Sequence, residues 1–156
     1  MSEAVAIHPL ASHPEALPEL CRLLEAEWPS WYGPGGQGCA HEDLSAFSAP
    51  TGLPFGVVAV QGGEVCGIAA LKAESIPSHR HLRPWAAAGL VKPALRGHGI
   101  GSMLLARLEQ QARIEGFAEI HCATATAESL LQRRHWQLVE RVTHEGQDLG
   151  VYRKGL

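Results

Sequence analysis

The stretch Arg96, Gly97, His98, Gly99, Ile100, Gly101, Ser102 is the part of this sequence best suited to chemistry. Three glycines in alternation let a backbone approach a ligand closely and adopt conformations closed to other residues. The run leads directly into the chain's strongest helical pattern. The first N–H groups of a helix have no partner inside it and carry partial positive charge. Strand end, glycine turn and helix start in that order suit a phosphate or pyrophosphate, and Arg96 would add a charge-assisted contact. A ligand-free turn that merely caps the helix has the same spacing. A P-loop would need Gly-Lys-Ser/Thr, which is absent, and a dinucleotide fingerprint would need glycine at 102, which is serine.

The elements that must position this turn follow from periodicity. Residues 4–7 suit a short strand, and residues 14–27 a helix with Leu17, Leu20 and Leu24 on one face. Residues 28–38 hold glycines and prolines that argue against regular structure, yet three large aromatics open the segment. A short helix is expected over 40–47. A hairpin is expected from strands 55–60 and 64–71 around Gln61, Gly62 and Gly63. Residues 85–91 form a further apolar run. The helix over 99–115 repeats Ile100, Leu104, Leu108 and Ala112 at four-residue intervals, with Gly116 as its cap. A strand over 118–123, a helix over 127–134 and strands over 137–143 and 149–153 complete a mixed α/β order.

Composition bounds the function. The 156 residues predict one domain spanning 1–156. Thirteen Lys and Arg against sixteen Asp and Glu give a net charge of −3, which excludes a strong basic field for nucleic acid. The four cysteines match neither a zinc ribbon nor a small disulfide framework, so reduced thiols are expected. His79 and His81 lack a third ligand, and no metal is expected. The N-terminus has no signal-peptide pattern, and no apolar run reaches the ~20 residues that span a bilayer. A soluble cytoplasmic protein without a membrane partner is the expectation.

The alternation of residues 96–101, with Val91, Lys92 and Pro93 upstream, resembles motif A of the GNAT superfamily, the acyl-CoA-dependent N-acyltransferases. The element order over nearly the whole chain resembles that fold as well. The resemblance implies a splayed mixed sheet of about seven strands flanked by about four helices, with acetyl-CoA as acetyl donor in the gap between the fourth and fifth strands. On that mapping Gly89, Leu90 and Val91 pair with the pantetheine arm, and a fourth-strand N–H polarises the thioester. Residues 96–102 then hold the pyrophosphate, and Leu131 and Arg134 flank the cofactor. Leu24, Glu27, Trp28 and Pro29, with Leu53 and Pro54, partly resemble actin N-terminal acetyltransferases. The segment Trp31 to Gly36 and the pair Pro84, Trp85 are similar to bacterial GNAT proteins of unknown substrate.

The implied activity is acetyl transfer to a primary amine of a small molecule or peptide N-terminus, by direct attack in a ternary complex. An amine protonated at neutral pH must lose a proton first, which calls for a base near the thioester. Glu27 is the first candidate, with a solvated helix end as the plainer reading; Glu74, His79 and His81 come next. Many family members protonate the thiolate with a tyrosine in the short late helix, where this chain has Leu131. That departure, and a fourth strand without titratable side chains, motivate the rival reading of a non-catalytic acyl-CoA sensor or interaction module. Trp28, Trp31, Tyr32 and Trp85 either wall the acceptor cleft or plug the splayed sheet, with the glycine-rich segment as a lid in the first case. Gln37 and Asp43 are further polar groups near that segment, and Cys122 reads as buried filler. The sequence leaves monomer and homodimer equally open.

Overall fold

The computed structural model describes residues 4–156. Its strands are β1 (Ala6–Pro9), β2 (Phe55–Gln61), β3 (Glu64–Lys72), β4 (Trp85–Val91), β5 (Glu119–Thr124), β6 (Gln137–His144) and β7 (Gln147–Gly155). Its helices are α1 (Leu17–Glu27), α2 (Pro29–Tyr32), α3 (Ala40–Phe47), α4 (Ile100–Ile114) and α5 (Glu128–Arg133). The strands make one sheet in the order β1-β2-β3-β4-β5-β7-β6. Every neighbouring pair is antiparallel except β4 with β5. A parallel pair requires a crossover, and α4 supplies it.

The two faces of the sheet explain the unbroken apolar runs of β2 and β3. Val57, Ala69 and Leu71 face a cluster built with Ile100, Leu104, Leu108 and Ala112 of α4 and Leu131 of α5. Their neighbours Val58, Ile68 and Ala70 face Leu20 and Leu24 of α1 and Leu44 and Phe47 of α3. Alternate residues of a strand point to opposite faces, so strands covered on both sides lose their polar alternation. A smaller cluster of Ile76, Trp85, Leu149 and Val151 closes the end where β4 meets β5.

Three expectations are corrected here. Five helices form rather than about four, because residues 29–32 of the segment expected to be irregular make one helical turn. Proline at the first helical position gives up an N–H that would be unbonded anyway, and Gly33 N–H closes the turn on Pro29 O at 2.9 Å. The first strand lies at Ala6–Pro9, two residues later than expected. The last hairpin is longer than expected, since Glu145 and Gly146, both at positive φ, connect His144 directly to Gln147.

Candidate active site

Strands β4 and β5 meet at one residue pair, Trp85 with His121, reinforced by the His121 N–H donating to Pro84 O at 3.0 Å. Past that pair they part, and the edge of β4 over residues 86–91 that faces β5 has no strand partner. A β-bulge accompanies the separation. Between the pairs Ile68↔Leu90 and Ala70↔Ala87, β4 sets Ala88 and Gly89 opposite Ala69 alone. Ala88 adopts a φ of 54°, in the left-handed region, where an L-residue loses roughly 1–2 kcal/mol. Bulges bend the strand that carries them and leave one residue outside the ladder. The resulting gap is a cavity of about 680 Å³ lined by residues 86–91 of β4, Cys122 and Thr124 of β5, Leu104 and Leu108 of α4, and Leu131 of α5.

At one end this gap meets the glycine turn. Gly97 and Gly99 have φ of 83° and 84°, and a Cβ at either would meet nothing within 4 Å. Backbone conformation, not internal crowding, therefore calls for glycine here. Gly99 caps α4 from the left-handed region, and Met103 N–H is bonded to Gly99 O at 3.1 Å, so the amides of the preceding first turn precede the internal ladder. They border a second cavity of about 640 Å³ lined by Gly97, Gly99, Ile100, Gly101 and Ser102 on one side and Arg133, Arg134, His135 and Lys154 on the other. Val91, Arg96, Gly101 and Leu130 line both cavities, so turn and gap form a continuous trough. His98 is exposed outside that lining and bonds Leu95 O through Nδ1 at 3.1 Å.

Arg96 and Glu27 come together although 69 positions separate them: Arg96 Nη2 donates to Glu27 Oε2 at 3.0 Å. Arg96 Nε also donates to Val91 O at 2.9 Å, so this guanidinium ties the end of α1 to the end of β4. Arg134 Nη1 donates to Ser102 Oγ at 3.2 Å, which joins α5 to the first turn of α4. Behind Arg134 stands Glu109 of α4, 2% exposed, which sequence reasoning did not single out. Its carboxylate accepts from Arg134 Nε at 3.0 Å and Nη2 at 3.2 Å, from Lys154 Nζ at 2.8 Å and from Trp136 Nε1 at 3.2 Å. Burial works against its charge, but the Arg134 and Lys154 hydrogen bonds outweigh it and hold the carboxyl below its usual range. The only sequence signal for Glu109 was its place four residues after Leu105, inside the apolar stripe. Lys154 gave none.

The gap is also lined by Glu27, Trp28, Ser75, Ile76, His144, Gln147 and Leu149. Glu27 and Trp28 are thus at the trough, whereas the other aromatics are elsewhere. Trp85 has no exposed surface, packs among Ile76, Leu149 and Val151, and donates from Nε1 to Leu82 O at 2.8 Å. Trp31 is 42% exposed and packs against Gly38, where a Cβ would lie 2.2 Å from its Nε1. Tyr32 donates to Asp43 Oδ2 at 2.6 Å, and burial together with that bond pushes its phenol upward. Segment 28–38 is therefore folded onto itself. Glu74 and His81 are exposed, and buried His79 is engaged by Ser78 and Glu140. Gln37 is exposed.

Titratable groups facing the gap are Glu27, Arg96, Cys122 and His144; His144 went unnoticed in the sequence because only the closing hairpin brings it there. Burial pushes the Cys122 thiol up to about 12, so it stays protonated and a poor nucleophile. Neither Tyr32 nor Tyr152 lines the gap; Tyr152 donates to Glu128 Oε1 at 2.8 Å. Leu131 is 1% exposed within the core. Among the described residues no group of three or more His, Cys, Asp or Glu side chains is arranged to hold a metal ion. Among them, too, no helix is long and apolar enough to cross a membrane.

A splayed parallel pair with a bulged strand, opening beside a glycine turn at a helix start, is the arrangement that the resemblance to the acyl-CoA-dependent N-acyltransferases implies. The profile of the Acetyltransferase (GNAT) family matches residues 18–135, and the chain belongs to that family. Solved structures share the fold. An aminoglycoside 6'-N-acetyltransferase complexed with coenzyme A is 14% identical, with TM-score 0.77 and 96% of each chain covered. A GCN5-related N-acetyltransferase from Kribbella flavida is 22% identical, with TM-score 0.76 and 98% of each chain covered. The aminoglycoside 6'-N-acetyltransferase from Enterococcus faecium is 15% identical, with TM-score 0.75, covering 97% of this chain and 96% of that one. No curated protein is significantly similar in sequence. Acetyl-CoA is the family's donor, and the trough fits it: unpaired amides at the turn, cations opposite, and a free strand edge beyond.

Proposed function

We propose that this protein is an acetyl-CoA-dependent N-acetyltransferase acting on a primary amine of a small molecule or a peptide N-terminus. The observation that carries the proposal is the unpaired, bulged edge of β4 lying in one trough with the glycine turn. When bound, acetyl-CoA would supply an activated acyl group: the acceptor nitrogen would add to the thioester carbonyl carbon, and collapse of the resulting oxyanion would break the C–S bond and release CoA thiolate, which takes a proton from water. The turn from Gly97 to Ser102, with Arg134, holds the pyrophosphate. The free edge at Gly89, Leu90 and Val91 aligns the pantetheine arm. An amide released from the ladder at the bulge steadies the oxyanion. Glu27 takes the amine proton through the carboxylate oxygen that Arg96 leaves free.

Among the described residues Glu27 is the one carboxylate lining the gap, which favours an acceptor with a single amine over a polycation such as an aminoglycoside. Release of free CoA thiol is the measurement, with simple alkylamines, dipeptides and aminoglycosides as acceptors. Release above background hydrolysis with an amine, and an N-acetyl product by mass spectrometry, is the expected outcome. The absence of a tyrosine at the gap favours a second reading, a non-catalytic acyl-CoA sensor. Acetyl-CoA that raises the melting temperature without any amine-dependent release would replace the first reading with the second.

A further inference from the structure

Glu27 carries its charge at the unfavourable end of a helix. It is the last residue of α1, beside carbonyl groups with partial negative charge, and the last turn of α1 has no basic residue to offset it. The compensation comes from far along the chain, where Arg96 Nη2 donates to Glu27 Oε2 at 3.0 Å. Arg96 is among the residues that the resemblance gives to the pyrophosphate, yet neither of its side-chain hydrogen bonds goes to the glycine turn.

The second of these bonds explains why arginine suits the position. Lys92 N–H bonds Cys66 O across to β3 at 2.8 Å, so the backbone groups of Val91, one residue earlier, point away from β3 to the unpaired edge. Arg96 Nε donates to that Val91 carbonyl at 2.9 Å. One planar fork thus holds the carboxylate and the strand edge together, and its rigidity fixes the distance between them. Glu19, about two turns earlier on α1, forms an ion pair with Lys92, so this helix is docked on the end of β4 without Arg96. The Arg96 and Glu27 side chains are 48% and 35% exposed, and an ion pair so open to solvent adds little to stability. What Arg96 supplies is the aim of the carboxylate.

We propose that Arg96 is a positioning residue for Glu27 and not a ligand of phosphate. It fixes the carboxylate against the edge of β4 and leaves Oε1 to take the amine proton. The inference rests on the proposed acetyl transfer with Glu27 as base.

Calorimetric titration of CoA into Arg96→Gln decides between the two roles without an acceptor. Positioning keeps the dissociation constant within about threefold of wild type, whereas loss of a charge-assisted phosphate contact would weaken it about tenfold or more and overturn the assignment. Turnover is read as thiol release from acetyl-CoA with butylamine and with alanylalanine. Arg96→Gln is expected to lower kcat about tenfold, with KM for acetyl-CoA kept and the melting temperature within about 2–4 °C of wild type. Added to Glu27→Gln, the same change should cost less than about twofold further, because a base already removed needs no aiming. Arg96→Lys keeps the charge but gives up the fork, and its rate should stay within about threefold of the Arg96→Gln rate. A wild-type rate in Arg96→Gln, a full second loss in the double variant, or complete rescue by lysine would each overturn the positioning role and leave the acetyltransferase reading intact. Wild-type protein that binds CoA but releases thiol with neither amine would remove that reading, and this inference with it.

Discussion

Glu27 meets Arg96 with one carboxylate oxygen and lines the gap beside Trp28. Replacing the carboxylate by an amide keeps its size and removes its capacity to take a proton. Glu27→Gln is expected to lower kcat about 100-fold, the lower end of what general base catalysis contributes, with acetyl-CoA affinity kept. A full-rate variant would move the proton to His144, which also lines the gap. Glu27 was legible as a candidate because it ends an amphipathic helix next to aromatics. Its partner was not, since nothing local to residue 27 marks residue 96.

At the scale of elements, the proposed binding of acetyl-CoA falls to the turn before α4. Its two left-handed glycines leave open space around them, so the protein interior tolerates a side chain there, whereas a pyrophosphate seated on the turn as proposed would not. Gly99→Asp is therefore expected to cost about 1–2 kcal/mol of stability for an L-residue in that conformation. It should weaken acetyl-CoA binding at least about tenfold through bulk and negative charge at the helix start. Calorimetry on the folded variant checks this; retained affinity would dissociate the turn from the cofactor. The helices were legible because their apolar residues repeat every 3.6 residues, and the first hairpin because unbroken apolar runs flank Gly62 and Gly63. The single turn of α2 was not, because its four residues are too few to show a period and glycines surround them. The bulge at Ala88 was equally hidden, since alanine carries no sign that its φ is positive.

Across the whole molecule, Glu109 joins α4, α5 and β7, and its folded-state ionisation lies below the ordinary value of 4.5. A carboxyl depressed on folding stabilises the protein fully above its unfolded value and loses that contribution as pH falls through the folded one. Stability is thus expected to fall as pH drops below 4.5, and Glu109→Gln, where it folds, should flatten this limb. Chemical denaturation from pH 3 to 7 reads the slopes; parallel curves would deny Glu109 that role. Ligand binding should act on the same whole. At one hundred times its dissociation constant, acetyl-CoA is expected to add about 2.7 kcal/mol, or roughly 5–10 °C in the melting midpoint. NADH and ATP serve as controls in the same melt, and an unmoved midpoint would argue against the cofactor.

The sequence by itself determined the elements, their order and the glycine turn, because periodicity, capping and left-handed glycines are local and are written within a few residues. Only the tertiary structure decided what those elements bring together. The Arg96–Glu27 pair spans 69 positions, and the Glu109 cluster spans 25 to Arg134 and 45 to Lys154. It also put Trp85 into the core and His144 at the gap. Such meetings depend on how helices cross the sheet and where β4 leaves β5, and those distances belong to the folded chain alone.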